Sequence, residues 1–111
     1  MGLTQDSEWV RLLREDKLDE FNAKAADIAP QLENADLRMA DLRKANLATA
    51  NLRGAYMRNA DLRGLDLSKA DLHGASMHDA RISGVLFPNN LSPHEISLSV
   101  TRGTRMRTDV H

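Results

Sequence analysis

From Ala35 the chain advances in fives: ADLRM, ADLRK, ANLAT, ANLRG, AYMRN, ADLRG, LDLSK, ADLHG, ASMHD, ARISG, VLFPN. These are eleven consecutive groups ending at Asn89, each with Leu, Met, Ile or Phe in third place. The first place is Ala except at Leu65 and Val85. A period of five fits neither ordinary element. On an α-helix the third residues would advance by about 140° per repeat and wind round the whole surface. On a flat strand an odd period would send them to opposite faces in turn. The pattern is consistent only with a chain that bends once per repeat, with the first and third residues inward and the second and fourth outward. The fifth place is the corner. It holds Gly54, Gly64, Gly74, Gly84, Asn59, Asn89 and Asp79, residue types that tolerate positive φ. Met39, Lys44, Thr49 and Lys69 do not share that tolerance, so corners of more than one turn type are expected.

The tandem A(D/N)LXX sequence resembles the pentapeptide-repeat proteins. The resemblance implies a mainly β fold, a right-handed quadrilateral β-helix with four repeats per coil. Residues 35–89 then give about three coils, stacked at roughly 4.8 Å. In that phase Leu37, Met57 and Met77 form one inner column. Leu42, Leu62 and Ile82 form the next, then Leu47, Leu67 and Phe87. Leu52 and Leu72 form the fourth with Leu32, from a degenerate repeat at residues 30–34. Leu65 stacks between Ala45 and Val85, which should widen that side.

The organisation expected is a helical N-terminal cap (1–29), the repeat unit (30–90), a C-terminal helix (91–103) and a mobile tail (104–111). Stacked coils leave open backbone edges, and arrays of this kind need caps at both ends. Asp6 or Ser7 can cap a first helix carrying Trp9, Val10, Leu12 and Leu13. Leu18, Phe21, Ala25 and Ile28 recur at helical spacing. Residues 14–17 either separate two helices or form one exposed face. Ser92-Pro93-His94-Glu95 reads as a capping box with Pro at the first helical position, followed by Ile96 and Val100 and ended by Gly103. Leu86 is expected to point outward.

The chemistry on offer is sparse. There is no cysteine, so thiolate metal sites, disulfides and redox pairs are excluded. The first six residues match neither a signal peptide nor, with Asp6 in sixth place, a myristoylation signal. A reducing cytoplasm is the expected setting. The formal charge of −1 gives no bias towards a nucleic acid or a membrane. No phosphate loop, nucleophile elbow or HExxH occurs. His73 and His78 lie one repeat apart and need further ligands, such as Asp79, to hold a metal. They read as surface histidines, and no catalytic residue, metal ligand, cofactor or small-molecule substrate is expected.

The remaining candidates point outward. Asp36, Asp41, Asp61, Asp66 and Asp71 alternate with Arg38, Arg43, Arg53, Arg58 and Arg63. Arg38, Arg43, Arg58 and Arg63 with Tyr56, which stands where Asp or Asn is usual, form the candidate interaction surface for an acidic partner. The competing reading is a solvated surface in which each Arg is offset by an Asp. The function expected is therefore a non-enzymatic interaction or scaffold module with an unknown protein partner. Self-association through a terminal helix or coil end is an allowed arrangement. The alternative is mimicry of DNA towards a type II topoisomerase such as DNA gyrase, an activity of some relatives that are long and strongly acidic. This chain is short, nearly neutral and arginine-lined. Direct nucleic-acid binding is not expected, since arginines alternate with aspartates and aromatics are few.

Overall fold

The structure is a computed structural model that describes residues 7–109. Its regular elements are three helices: α1 (Glu8–Arg14), α2 (Leu18–Ala25) and α3 (Pro93–Arg102). This corrects the mainly β class and the right-handed quadrilateral β-helix expected above. Among the described residues no strand forms, and the β contacts are isolated parallel bridges of one residue each. The physical reason is the length of the repeat. Most five-residue units have two turn residues and one residue that bridges, so no side of the winding stays extended long enough to make a strand.

The bridges nonetheless fix the register. Gln31 pairs with Asn51 and Asn51 with Asp71; Asp36 pairs with Tyr56 and Tyr56 with Ser76; Asp41 pairs with Asp61 and Asp61 with Arg81. Each pair is twenty residues apart, so every fourth repeat returns over itself. On one face Tyr56 donates its N–H to the Ala35 carbonyl (2.9 Å), and Leu37 donates to the Tyr56 carbonyl (2.8 Å). Met39 then donates to the Arg58 carbonyl (2.9 Å).

Each corner is closed by an N–H from the first residue of a repeat to the carbonyl three residues back, as from Ala35 to Leu32 and from Ala55 to Leu52. Positive φ at the fifth place marks the corners at Asn34, Met39, Gly54, Asn59, Gly64, Gly74, Asp79 and Gly84, the backbone of a type II turn at its third residue. Lys44, Thr49 and Lys69 are absent from that set, so the turn types differ as their residues suggest. Met39 is the exception: it takes φ 66° in spite of its Cβ.

The inner columns are filled. Leu32, Leu37, Leu42, Leu47, Leu52, Met57, Leu62, Leu67, Leu72 and Met77 are buried, whereas Ile82 and Phe87, in the last winding, are partly exposed. Trp9, Val10, Leu12 and Phe21 join the same core. The Trp9 and Phe21 rings meet edge to face, with centroids 5.2 Å apart.

The two helical ends satisfy the open backbone differently. The stretch 14–17 separates α1 from α2, with Asp16 at φ 56°. Ile28, placed on the second helix by its spacing, lies beyond it and is exposed. No bridge links Asn46 to Asp66 among the described residues, next to the large Leu65 and the corner at Lys44. Asn22 of α2 fills that break: its amide donates to the Lys44 carbonyl (2.9 Å) and accepts from the Asn46 N–H (2.7 Å).

At the other end α3 has the expected bounds, with Ser92 accepting from the Glu95 N–H and Gly103 ending it at φ 76°. Residues 104–109, within the tail expected at 104–111, run against the repeat unit. Met106 is fully buried; it accepts from the Gly74 N–H (2.7 Å) and donates to the Ala75 carbonyl (2.8 Å), taking the place of a further winding. Asp109 donates to the Asn90 carbonyl. Residues 1–6, 110 and 111, on which the Asp6 cap, the N-terminal signal readings and His111 fall, lie outside the described residues.

Candidate interaction surface

Asp or Asn in the second place has a local task. Its side-chain oxygen accepts the backbone N–H two residues on, in the fourth place: Asp36 to Arg38, Asp41 to Arg43, Asn46 to Ala48, Asn51 to Arg53, Asp61 to Arg63, Asp66 to Ser68 and Asp71 to His73, at 3.0–3.3 Å. This is an Asx turn, which satisfies a donor that faces away from the ladder. Sequence reasoning placed these residues outward but missed this role; the strict two-residue spacing was its signal.

Where Arg follows Asp, the same carboxylate also holds the guanidinium. Arg38 grips Asp36 with two bonds of 2.7 Å. Arg43 grips Asp41 (2.9 and 2.7 Å), and Arg63 grips Asp61 at the same distances. Arg43 also lies 3.3 Å from Asp61 in the next winding. The guanidinium groups hold all three carboxyls below the ordinary carboxylate range, Asp36 and Asp61 at about 2. Arg53 has Asn51 in its own repeat and reaches instead to Asp71 (3.0 Å).

Tyr56 breaks this arrangement. It supplies neither an Asx acceptor nor a carboxylate, and Arg58 has no hydrogen-bonded or charged side-chain partner among the described residues. Tyr56 is engaged from the other side. Arg105 lies over its ring, 5.0 Å from the centroid, and donates one N–H to its hydroxyl and another to the Gly74 carbonyl. The structure therefore separates the five candidate residues. Arg43 and Arg63 share a face on which they are tied to aspartates. Arg38, Tyr56 and Arg58 share the next face with His78, joined there by Arg102 and Arg105 from the C-terminal segment.

The histidines do not converge. His73 Nδ1 lies 2.9 Å from the Thr108 hydroxyl, and His78 Nε2 lies 3.3 Å from the Asp79 carboxylate. His94 is exposed in the first turn of α3. No group of three or more potential metal ligands occurs among the described residues. A groove of about 390 Å³ runs between α1, the start of α2 and the first winding, lined by Val10, Leu13, Leu18, Leu37 and Leu42 with Arg14 and Asp41 at its polar side. No helix among the described residues is long and apolar enough to cross a membrane.

Two polar residues hold the C-terminal segment: Ser99, which sequence reasoning did not single out, and Glu95, which it placed only in the capping box. Ser99, fully buried, accepts the Met77 N–H (2.9 Å) and donates to the Thr104 carbonyl (2.7 Å). Glu95 is also buried, and its carboxylate turns from the capping-box position to take the Arg107 backbone N–H (3.0 Å) and guanidinium (2.8 Å). Those contacts hold its carboxyl below the usual range.

No curated protein and no solved structure matches this chain. The family model for pentapeptide repeats matches in eight copies, over residues 31–64 and 50–87, together just over half of the 111 residues. With the A(D/N)LXX register running through the bridges and the Asx turns, this places the chain in the pentapeptide-repeat family.

Proposed function

We propose that this protein is a non-enzymatic protein-interaction module that works through its outward faces, in a cytoplasmic setting. The observation that carries the reading is the fixed outer array. Asx turns set the backbone under the fourth-place residues, and three of the arginines there are locked to carboxylates of their own repeats. A surface already ordered loses little conformational freedom on docking, which favours affinity. The duplex-mimic reading asks for outward carboxylates free of counterions. Asp36, Asp41 and Asp61 are each taken by arginine, so that reading gains no support.

Affinity capture from native lysate tests the module reading. Wild type is compared with variants substituted one face at a time, Arg58→Gln and Arg63→Gln among them. The expected result is a protein retained in stoichiometric amount by wild type and lost from a variant of one face but kept by the others. Equal recovery from every variant, or turnover of a small molecule by the purified protein, would overturn the reading.

A further inference from the structure

The face that carries Arg58 differs from its neighbour in charge balance, and the cause is a single residue. In the repeats at 35–39, 40–44 and 60–64 each Arg meets the Asp two residues before it. In the repeat at 55–59 Tyr56 replaces that Asp, and among the described residues the Arg58 guanidinium is unpaired. Arg102, at the end of α3, likewise has no charged or hydrogen-bonded side-chain partner among the described residues. Among the described residues Arg105 is bound only to neutral oxygens, those of Tyr56 and Gly74. These side chains, with Arg38 and His78, line one groove of about 410 Å³. Of the nearby carboxylates, Asp36 is already engaged by Arg38, and Asp79 lies 3.3 Å from His78. Among the described residues the groove thus gathers three cationic side chains without a carboxylate in contact, on a chain whose formal charge is −1.

We infer that this groove is a docking site for an extended, Asp/Glu-rich segment of a partner protein, with Arg58 and Arg102 as the charges that recognise it. The inference rests on the interaction-module reading above and names its partner class. Guanidinium groups pair with carboxylates in a planar, two-bond geometry, and an unpaired one is the natural receptor. Two features separate an acidic peptide from other polyanions. Arg105 lies over the Tyr56 ring, so a base stacking on that face would have to displace it. The C-terminal end of α3 at Gly103 also borders the groove. Its partial negative charge disfavours a compact dianion such as phosphate, which sites at helix N-termini accept. Single carboxylates spaced along a peptide meet the arginines with less of that opposition.

The test is fluorescence anisotropy with a labelled ten-residue peptide of alternating Asp and Glu. Wild type should bind it and lose affinity as salt rises from 50 to about 200 mM. The Arg58→Gln, Arg102→Gln double variant should bind about tenfold more weakly, roughly threefold per exposed charge. Arg53→Gln, which removes a paired arginine from another face, should change affinity less than about twofold. Thermal melts of the variants exclude unfolding as the cause, since Arg58 and Arg102 make no contact that folding requires. No binding of the peptide by wild type, or equal binding by the double variant, overturns the inference. So does displacement of the peptide by inorganic phosphate or by a short DNA duplex at lower concentration than by unlabelled peptide. If the peptide fails but lysate capture still yields a face-dependent partner, the inference falls while the module reading stands.

Discussion

Asp41 serves two groups two residues away: its carboxylate accepts the Arg43 backbone N–H and clasps the Arg43 guanidinium. The two roles separate by substitution. Asp41→Asn keeps an acceptor for the N–H and loses the ion pair, whereas Asp41→Ala loses both. Exposed ion pairs contribute little to stability and an unsatisfied turn donor contributes more. Asp41→Ala should therefore lower the Tm by clearly more than Asp41→Asn, measured by circular dichroism. Met39 presents the opposite case. It sits at φ 66° with its side chain 73% exposed, so it carries the cost of the left-handed region with little packing in return. Met39→Asn should stabilise the protein by about 0.5–1 kcal/mol in urea unfolding, because Asn enters that region more readily. Sequence reasoning recognised the corner at Met39 but not its conformation. The backbone there is imposed by its edge of the winding, where Asn59 and Asp79 take the same φ sign.

The helical ends are held by polar side chains at positions where an apolar pattern would direct attention elsewhere. The spacing of Ile96 and Val100 marks a helix, and the capping residues mark its bounds, so α3 was readable almost to the residue. Its buried face is centred on Glu95 and Ser99 instead, because that face must satisfy backbone groups of the last winding. The Met77 N–H, which a further winding would have bonded, finds the Ser99 hydroxyl. Ser99→Ala leaves that donor buried and releases the Thr104 carbonyl, and should cost about 1–3 kcal/mol. Hydrogen exchange should rise at Met77 and Met106 well before it rises at Tyr56. Unchanged exchange at Met77 and Met106 would contradict the role given to Ser99. The packing of residues 104–109 has no comparable signal in the sequence: only Met106 among them is buried, and one apolar residue makes no period.

Across the whole protein, Asp36, Asp41, Asp61 and Glu95 are each paired with an arginine, and the pH response follows from it. The carboxyls of Asp36, Asp41, Asp61 and Glu95 are lowered by their arginine partners. A group whose folded pKa lies below its unfolded one stabilises the fold above the unfolded value and loses that contribution as pH falls. The Tm should hold steady from pH 7 to about 5 and decline from about pH 4 towards 2, where Asp36 and Asp61 titrate in the fold. The inward places and the corners are legible in the period of five alone, whereas the twenty-residue register and the inner columns follow only from the family resemblance. The class label could not be read from the period, because side-chain periodicity reports which way residues point and not how many consecutive residues bridge. The unpaired Arg58 was visible as AYMR among ADLR repeats once the Asp–Arg clasp was known. Every statement about faces depends on residues twenty apart lying side by side, and a cysteine-free chain allows a direct check. Gln31→Cys with Asn51→Cys, a bridged pair, should close an intramolecular disulfide under mild oxidation. Gln31→Cys with Asp41→Cys, two repeats on and across the winding, should not. Efficient closure of the second pair and not the first would contradict the register and every face assigned from it.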